Sequence, residues 1–296
     1  MAAQPPIEFL TTREVAEMLR VKERKVYDMA AEGEIPCRRV TGKLLFPRSE
    51  IEKWLSGDTA RGDRADGLLP NVIAGSHDPL LDWAIRESGS SLATLFNGSL
   101  SGIERLRDRQ AIAAGAHIFE PEAQDWNFRH VAQHLADVPV VMVTWAWRQQ
   151  GILVGKDHAG RVSGVSDLRG LKIAQRQPSA GAGLLFAHLL DQAGLGPDDF
   201  AQDDELARTE TEAAAAVASG SADAAPGLAA VARQFGLAFV PTMNERFDLI
   251  IDRRAWFEPP IQTLWAFARS RAFRAKVAAL GGYAIEDLGT VRWNAP

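Results

Sequence analysis

A chain of 296 residues with 46% hydrophobic and 24% charged residues can bury a sizeable core, which excludes a disordered protein and leaves room for one small and one larger domain. The formal net charge of −5 excludes a protein coated with nucleic acid along its whole length, so any DNA contact must come from a local basic patch. Residues 1–6 have neither a basic start nor an apolar run, no segment approaches an uncharged bilayer-spanning length, and the single cysteine, Cys37, cannot close an intramolecular disulfide, all of which point to a cytoplasmic protein with no membrane partner.

In chain order, Thr11 and Glu14 have the Thr-x-x-Glu spacing of a capping box, in which the two side chains satisfy each other's free backbone donors and start a helix. Val15, Met18 and Leu19 then share a face. After a turn at Val21, a second helix is expected over 22–32, burying Val26 and Met29 and stopping at Gly33. Residues 37–40 and 43–46 flank Thr41 and Gly42 as a hairpin, and Ser49 caps a final helix carrying Ile51, Trp54 and Leu55. Residues 1–56 hold ten Lys or Arg against nine Asp or Glu, about +1, which leaves about −6 for the rest. The basic residues cluster on the second helix and the hairpin. A charge cluster by itself is usually a solvated surface, and confinement to the second helix and the hairpin is what turns the reading toward DNA contact.

Through Thr11-Thr12-Arg13-Glu14-Val15, Val26-Tyr27, Gly33-Glu34-Ile35-Pro36 and Phe46-Pro47-Arg48-Ser49, this unit resembles the excisionase/MerR-type winged-helix family. The resemblance implies that the second helix enters the major groove with Lys22, Arg24, Lys25 and Tyr27, and that Arg38, Arg39 and Lys43 form a wing along the backbone. Its expected partner is a double-stranded DNA operator. One such domain has a small footprint, so a homodimer reading paired half-sites is also expected.

Residues 56–67 are polar, with three glycines and no large apolar residue, and place a linker at 57–68 between a DNA-binding domain over 1–56 and an effector domain over 69–296. Beyond it, apolar runs at 71–74, 92–96, 113–118, 138–144, 171–174, 239–240 and 249–251 alternate with helical patterns, the signature of an α/β sheet. Three polar loops follow strands and precede helices, at Ser76-His77-Asp78, at Asn97-Gly98-Ser99 and from Arg176 through Ser179. Free backbone N–H groups and the helix dipole favour an anion at each. Trp145 and Trp147 alternate as strand residues do, with core packing as the ordinary reading and an aromatic cleft wall as the other.

Through Gly75-Ser76-His77-Asp78-Pro79-Leu80, Gly98-Ser99-Leu100-Ser101-Gly102, Ala114-Gly115-Ala116-His117, Arg176-Gln177 and Arg246-Phe247-Asp248-Leu249, this part resembles the periplasmic-binding-protein-like domain of some cytoplasmic regulators and molybdenum-cofactor proteins, and more distantly the molybdate/tungstate receptors. The overall fold class expected is therefore α/β, a small winged helix-turn-helix plus a two-lobed α/β domain, with lobe 1 at about 69–145 and 250–296, lobe 2 at about 148–247, and hinge crossings near 143–147 and 248–251. The resemblance implies an interlobe cleft contacted by Ser76, His77, Asp78, Gly98, Ser99, His117, Arg176, Ser179 and Pro226, holding a small oxyanion such as molybdate or tungstate as effector and no covalent cofactor. For His77 and His117 a structural role stays open beside ligand contact. The sequence has no phosphate-loop Gly-Lys-Ser/Thr, no Gly-x-Ser-x-Gly elbow and no His-Glu-x-x-His metal spacing. No catalytic or metal residue is assigned. A ligand-responsive, non-enzymatic transcription regulator is the leading expectation, and an anion-binding or molybdenum-cofactor-related enzyme with the helix-turn-helix as docking module is the alternative.

Overall fold

The computed structural model describes residues 9–19, 21–31, 35–40, 43–55, 69–177 and 180–295. Two compact units divide at Leu68 and Leu69. The expected linker, the Gly33 stop and the Thr41-Gly42 turn lie outside the described residues.

The first unit runs β1 (Phe9–Thr11), α1 (Thr12–Leu19), α2 (Glu23–Ala31), β2 (Arg38–Val40), β3 (Lys43–Pro47) and α3 (Arg48–Leu55). The capping box forms at the start of α1, where the Thr11 backbone N–H donates to Glu14 Oε2 at 2.7 Å and the Glu14 N–H to Thr11 Oγ1 at 3.3 Å. The helix is only eight residues long, so few positions face inward: Val15 and Ala16 are buried, whereas Met18, expected inside, is 39% exposed. Val26 of α2, Phe46 of β3 and Ile51 of α3 complete one apolar cluster with Leu10 and Ile35. Sequence reading missed β1, which pairs antiparallel with β3, Leu10 opposite Phe46. The last helix begins at Arg48, ahead of the expected Ser49 cap.

In the second unit, β4 (Val72–Gly75), β5 (Ala93–Phe96) and β6 (Ala113–Ala116) form a parallel group, with α4 (Pro79–Ser88) after β4 and α5 (Ser99–Arg107) after β5. A small antiparallel pair, β7 (Phe119–Glu120) and β8 (Asp125–Trp126), precedes α6 (Phe128–His134) and the long strand β9 (Val140–Val154). A second parallel group comprises β10 (Lys172–Arg176), β11 (Ala201–Ala207) and β12 (Ala224–Leu228), with α7 (Gly181–Gln192), α8 (Glu210–Ser219) and α9 (Ala229–Phe235) following β10, β11 and β12. The chain finishes with β13 (Ala238–Asp252), α10 (Pro259–Ala268), α11 (Arg271–Leu280), β14 (Tyr283–Ala284) and β15 (Val291–Asn294).

One curled sheet, in the order β11-β10-β12-β9-β13-β6-β4-β5, contains both groups, with β14 and β15 also on β9. We call the β4–β6 half lobe 1 and the β10–β12 half lobe 2. Helices cover both faces of each, which is why their strands read as continuous apolar runs rather than alternating ones. In lobe 1, Leu80, Leu81, Leu264, Trp265 and Phe273 pack one face around Trp145, while Ile103, Leu106, Val131 and Leu135 pack the other. Trp145 is thus a core residue. The backbone of α5 comes close to the sheet because glycines meet there: a Cβ on Gly75, whose φ is +99°, would run into the Gly115 carbonyl, and one on Gly102 into Gly75 Cα.

The two lobes share the antiparallel ribbon of β9 and β13, each 15 residues long. Residues 150–154 of β9 ladder to β12, whereas Asp248–Ile251 of β13 ladder to β6. Asp248–Ile251 are therefore locked inside lobe 1. The crossing lies a few residues from where sequence reading put it, in the Trp147–Gln150 stretch facing Met243–Arg246.

Candidate functional site

In this topology the loops that follow the parallel strands emerge from their C-terminal ends, where open α/β sheets bind ligands. Lobe 1 contributes residues 76–78, 97–99 and His117. Lobe 2 contributes residue 177, the N-terminus of α7 and the start of α8.

Ser76 and Ser99 are both buried, with Oγ atoms 2.9 Å apart, and Ser99 Oγ accepts the His117 backbone N–H at 3.2 Å. These bonds stitch the ends of all three parallel strands together. Two hydroxyl protons serve a single Ser–Ser bond, so one remains to donate to a further group. Gly98, with φ of 101°, is the N-cap of α5 and has no side-chain cap. Ala180, N-cap of α7, has none either, unlike α4 and α8, which are capped by Asp78 and Thr209. Gly181 presses against His117, such that a Cβ there would sit 2.5 Å from the His117 carbonyl oxygen. The uncapped starts of α5 in lobe 1 and α7 in lobe 2 therefore meet at His117, bringing backbone N–H donors from both lobes together.

Behind this junction is a buried charge network. Asp78 accepts from Leu81 N at 2.7 Å, Trp145 Nε1 at 3.2 Å, Tyr283 Oη at 2.7 Å and Arg148 Nη1 at 3.0 Å. It caps α4 and anchors Arg148, with no donor of its own to offer an anion. Arg148 also donates to Glu245 and lies 4.4 Å above the Phe247 ring. Glu245 Oε2 is 2.9 Å from His117 Nδ1. Burial raises the Glu245 carboxyl, but Arg148 and His117 outweigh it and hold the group below the ordinary carboxylate range. For Arg148 burial is the largest influence and would lower it, yet the paired carboxylates hold it above its usual value and it stays charged. Burial likewise drives the Tyr283 hydroxyl well up, reinforced by Asp78, so it remains a donor.

His77 packs edge-on to Phe96 at 5.5 Å, and its Nδ1 has no hydrogen-bond partner among the described residues. Burial lowers its pKa, with Asp78 and Glu210 pulling the other way and Arg176 adding to the drop. His77 of lobe 1 thus feels the Arg176–Glu210 ion pair of lobe 2, whose Nη1 and Oε1 are 2.7 Å apart and whose side chains are 3% and 0% exposed.

The structure therefore brings Ser76, His77, Asp78, Gly98, Ser99, His117 and Arg176 into one neighbourhood. Pro226 sits in β12 opposite Ile152 and lines a separate cavity in lobe 2, and Ser179 lies outside the described residues. Sequence reading missed Arg148, Glu210 and Glu245. The only signal was that the strands bearing Arg148 and Glu245 run on through polar stretches, since both residues fall inside β9 and β13.

On the first unit, Lys22 is exposed just ahead of α2, and Arg24, Lys25 and Tyr27 are exposed on it around buried Val26, with Tyr27 at 51%. Lys43 is exposed at the start of β3. Arg38 is exposed but donates to Glu50 at 2.9 Å, which offsets part of the wing's charge. The Arg39 side chain lies outside the described residues.

Together these features define a winged helix-turn-helix fused to a two-lobed α/β binding domain. The chain belongs to the PBP superfamily, whose domain model matches residues 83–269, and a helix-turn-helix domain model matches residues 9–59. It is similar, at 23% identity over 95% of this chain and 96% of the relative, to the uncharacterized protein YvgK of Bacillus subtilis (strain 168). Among solved structures, a Clostridium perfringens protein named as a phosphate ABC transporter substrate-binding protein, with bound phosphate, superimposes with TM-score 0.51 at 10% identity over 71% of this chain and 96% of that one. PhnD1 of Prochlorococcus marinus (MIT 9301), in complex with methylphosphonate, gives TM-score 0.47 at 12% identity over 72% and 90% of the two chains. Among the described residues no helix is long and apolar enough to cross a membrane.

Proposed function

We propose that this protein is a ligand-responsive, DNA-binding transcription regulator of the cytoplasm that binds a small oxyanion between the two lobes of its second unit. The observation that carries the reading is the meeting of two uncapped helix N-termini, one from each lobe, at His117. Such ends supply backbone N–H donors without full positive charge, which suits a tetrahedral oxyanion. The spare hydroxyl proton of the Ser76–Ser99 pair and the unpartnered Nδ1 of His77 add to that donor set.

Charge bookkeeping adds a condition. Asp78, Glu210 and Glu245 outnumber Arg148 and Arg176, so an arriving anion deepens a local negative excess. Protonation of His77 relieves it, and anion binding should therefore take up a proton. The receptor resemblance of the second unit favours molybdate or tungstate, and the solved structure with bound phosphate makes phosphate the comparison to run. In the reading, Lys22, Arg24, Lys25 and Tyr27 meet the major groove, Arg38, Arg39 and Lys43 meet the backbone, and a homodimer spans paired half-sites. The ligand shifts operator affinity by binding one arrangement of the lobes more tightly than another.

The test is a thermal-shift panel of the full chain with molybdate, tungstate, phosphate, sulfate and small organic acids, because a ligand of the folded state raises the melting temperature. A rise with at least one oxyanion, lost on Ser99→Ala with Ser76→Ala, supports the reading. No rise with any oxyanion removes it.

A further inference from the structure

At the crossing of the long ribbon, β14, β9 and β13 lie side by side as the floor of a cavity of about 400 Å³, a size in the ordinary range for small-molecule sites. We propose that it binds a neutral, planar heteroaromatic ring of nucleobase size. Residues directly opposite one another in an antiparallel pair turn their side chains to the same face, and neighbours along a strand alternate. The register therefore puts Trp147, Gln149, Asn244 and Ala284 on one face of the ribbon and Arg148, Gln150, Glu245 and Tyr283 on the other. The first four line the cavity, whereas Gln150 and Glu245 do not. Arg148 and Tyr283 also border it, but both turn their polar ends to Asp78. The cavity thus lies behind the ribbon from the charge network, and the site stands without the oxyanion reading.

Trp147 supplies an aromatic surface held in place. Its Nε1 donates to Asp287 at 3.0 Å, and Arg246 stands over one side of the ring, 5.8 Å from its centre, without lining the cavity, so the ring meets the cavity with its other side. The residue is half-buried, which leaves part of the indole for a stacked partner. Gln149 and Asn244 sit opposite each other across the strands, and among the described residues neither side-chain amide has a hydrogen-bond partner. A primary amide offers a donor and an acceptor side by side, the pair that matches the edge of a heteroaromatic base. Of the lining residues only Arg148 is charged, and its guanidinium is engaged by Asp78 and Glu245. An uncharged ligand follows. It would rest on both strands of the ribbon at the point where one lobe passes into the other.

The experiment titrates the full chain calorimetrically with adenine, uracil and nicotinamide, each a neutral planar ring with an amide-like edge, and with cyclohexanecarboxamide, which keeps the amide on a puckered, saturated ring. Gln149→Ala with Asn244→Ala removes both amides from outside the core, Asn244 being exposed and Gln149 half-buried. The proposal expects saturable binding of at least one planar ring, about tenfold weaker or more in the double variant, with cyclohexanecarboxamide about tenfold weaker or more than the tightest ring. The melting temperature of the double variant should stay within a few degrees of the parent, and if it falls further, Asn244→Ala alone carries the same comparison. Absence of binding by all three rings up to about 5 mM, cyclohexanecarboxamide binding as tightly as the best ring, or an affinity unchanged by loss of the amides overturns it.

Discussion

Replacing Arg148 by methionine keeps most of the side-chain volume and deletes the cation at the centre of the buried network. The two carboxylates it holds respond unequally. Asp78 retains Leu81 N, Trp145 Nε1 and Tyr283 Oη, three donors at 2.7, 3.2 and 2.7 Å. Among the described residues Glu245 retains His117 alone, at 2.9 Å and out of contact with solvent. Removing one partner of a buried ion pair costs about 3–5 kcal/mol because the other charge is stranded, and here most of that falls on Glu245. At roughly 2–4 °C per kcal/mol for a unit of this size, the melting temperature should drop by roughly 6–20 °C. Converting the stranded acid to an amide should restore part of the loss, so Arg148→Met with Glu245→Gln should be more stable than Arg148→Met alone. Urea unfolding followed by circular dichroism measures all three proteins. A single variant that loses less than about 1 kcal/mol, or a double variant less stable than the single, would refute the claim that Arg148 compensates these carboxylates.

Three other outcomes follow from particular contacts. The lowered His77 pKa means the unfolded chain takes up this proton first, so stability should be full above about pH 6.5 and decline as pH falls toward the folded value; His77→Gln should remove that slope from a melting-temperature series. Gly75→Ala places a methyl against the Gly115 carbonyl at a φ of +99° and should cost roughly 2–4 kcal/mol in chemical unfolding, whereas Gly89→Ala, with nothing within 4 Å, should cost only its φ strain. Arg24→Ala and Lys25→Ala should each weaken binding to a selected duplex by about fivefold or more at fixed salt, read by fluorescence anisotropy; an unchanged affinity would take α2 out of the interface.

Local features were legible in the sequence where one short stretch carries its own physical signal. The Thr11–Glu14 capping box, the hairpin of β2 and β3 and the strand-loop-helix passages at Ser76 and Ser99 are of this kind. The long ribbon was not legible as such. Its crossing carries Arg148, Gln149 and Gln150 on one strand and Asn244, Glu245 and Arg246 on the other, polar runs that read as strand ends although both chains continue through them. The charge network was hidden for a related reason: Asp78, Arg148 and Glu245 are separated by 70 and 97 positions, so no local pattern links them. Of the carboxylates at the site only Asp78 was singled out, and its contacts give it an anchoring role that its loop position did not reveal.

The central claim is that one chain couples anion binding in the second unit to DNA binding by the first. Fluorescence anisotropy of the full chain on a duplex it selects from a random library, with and without a saturating oxyanion from the thermal-shift panel, measures that coupling. The account expects DNA affinity to change by about 5–150-fold, and oxyanion affinity to change by the same factor when DNA is present, because linkage is reciprocal. A saturated protein whose DNA affinity is unaltered would contradict it.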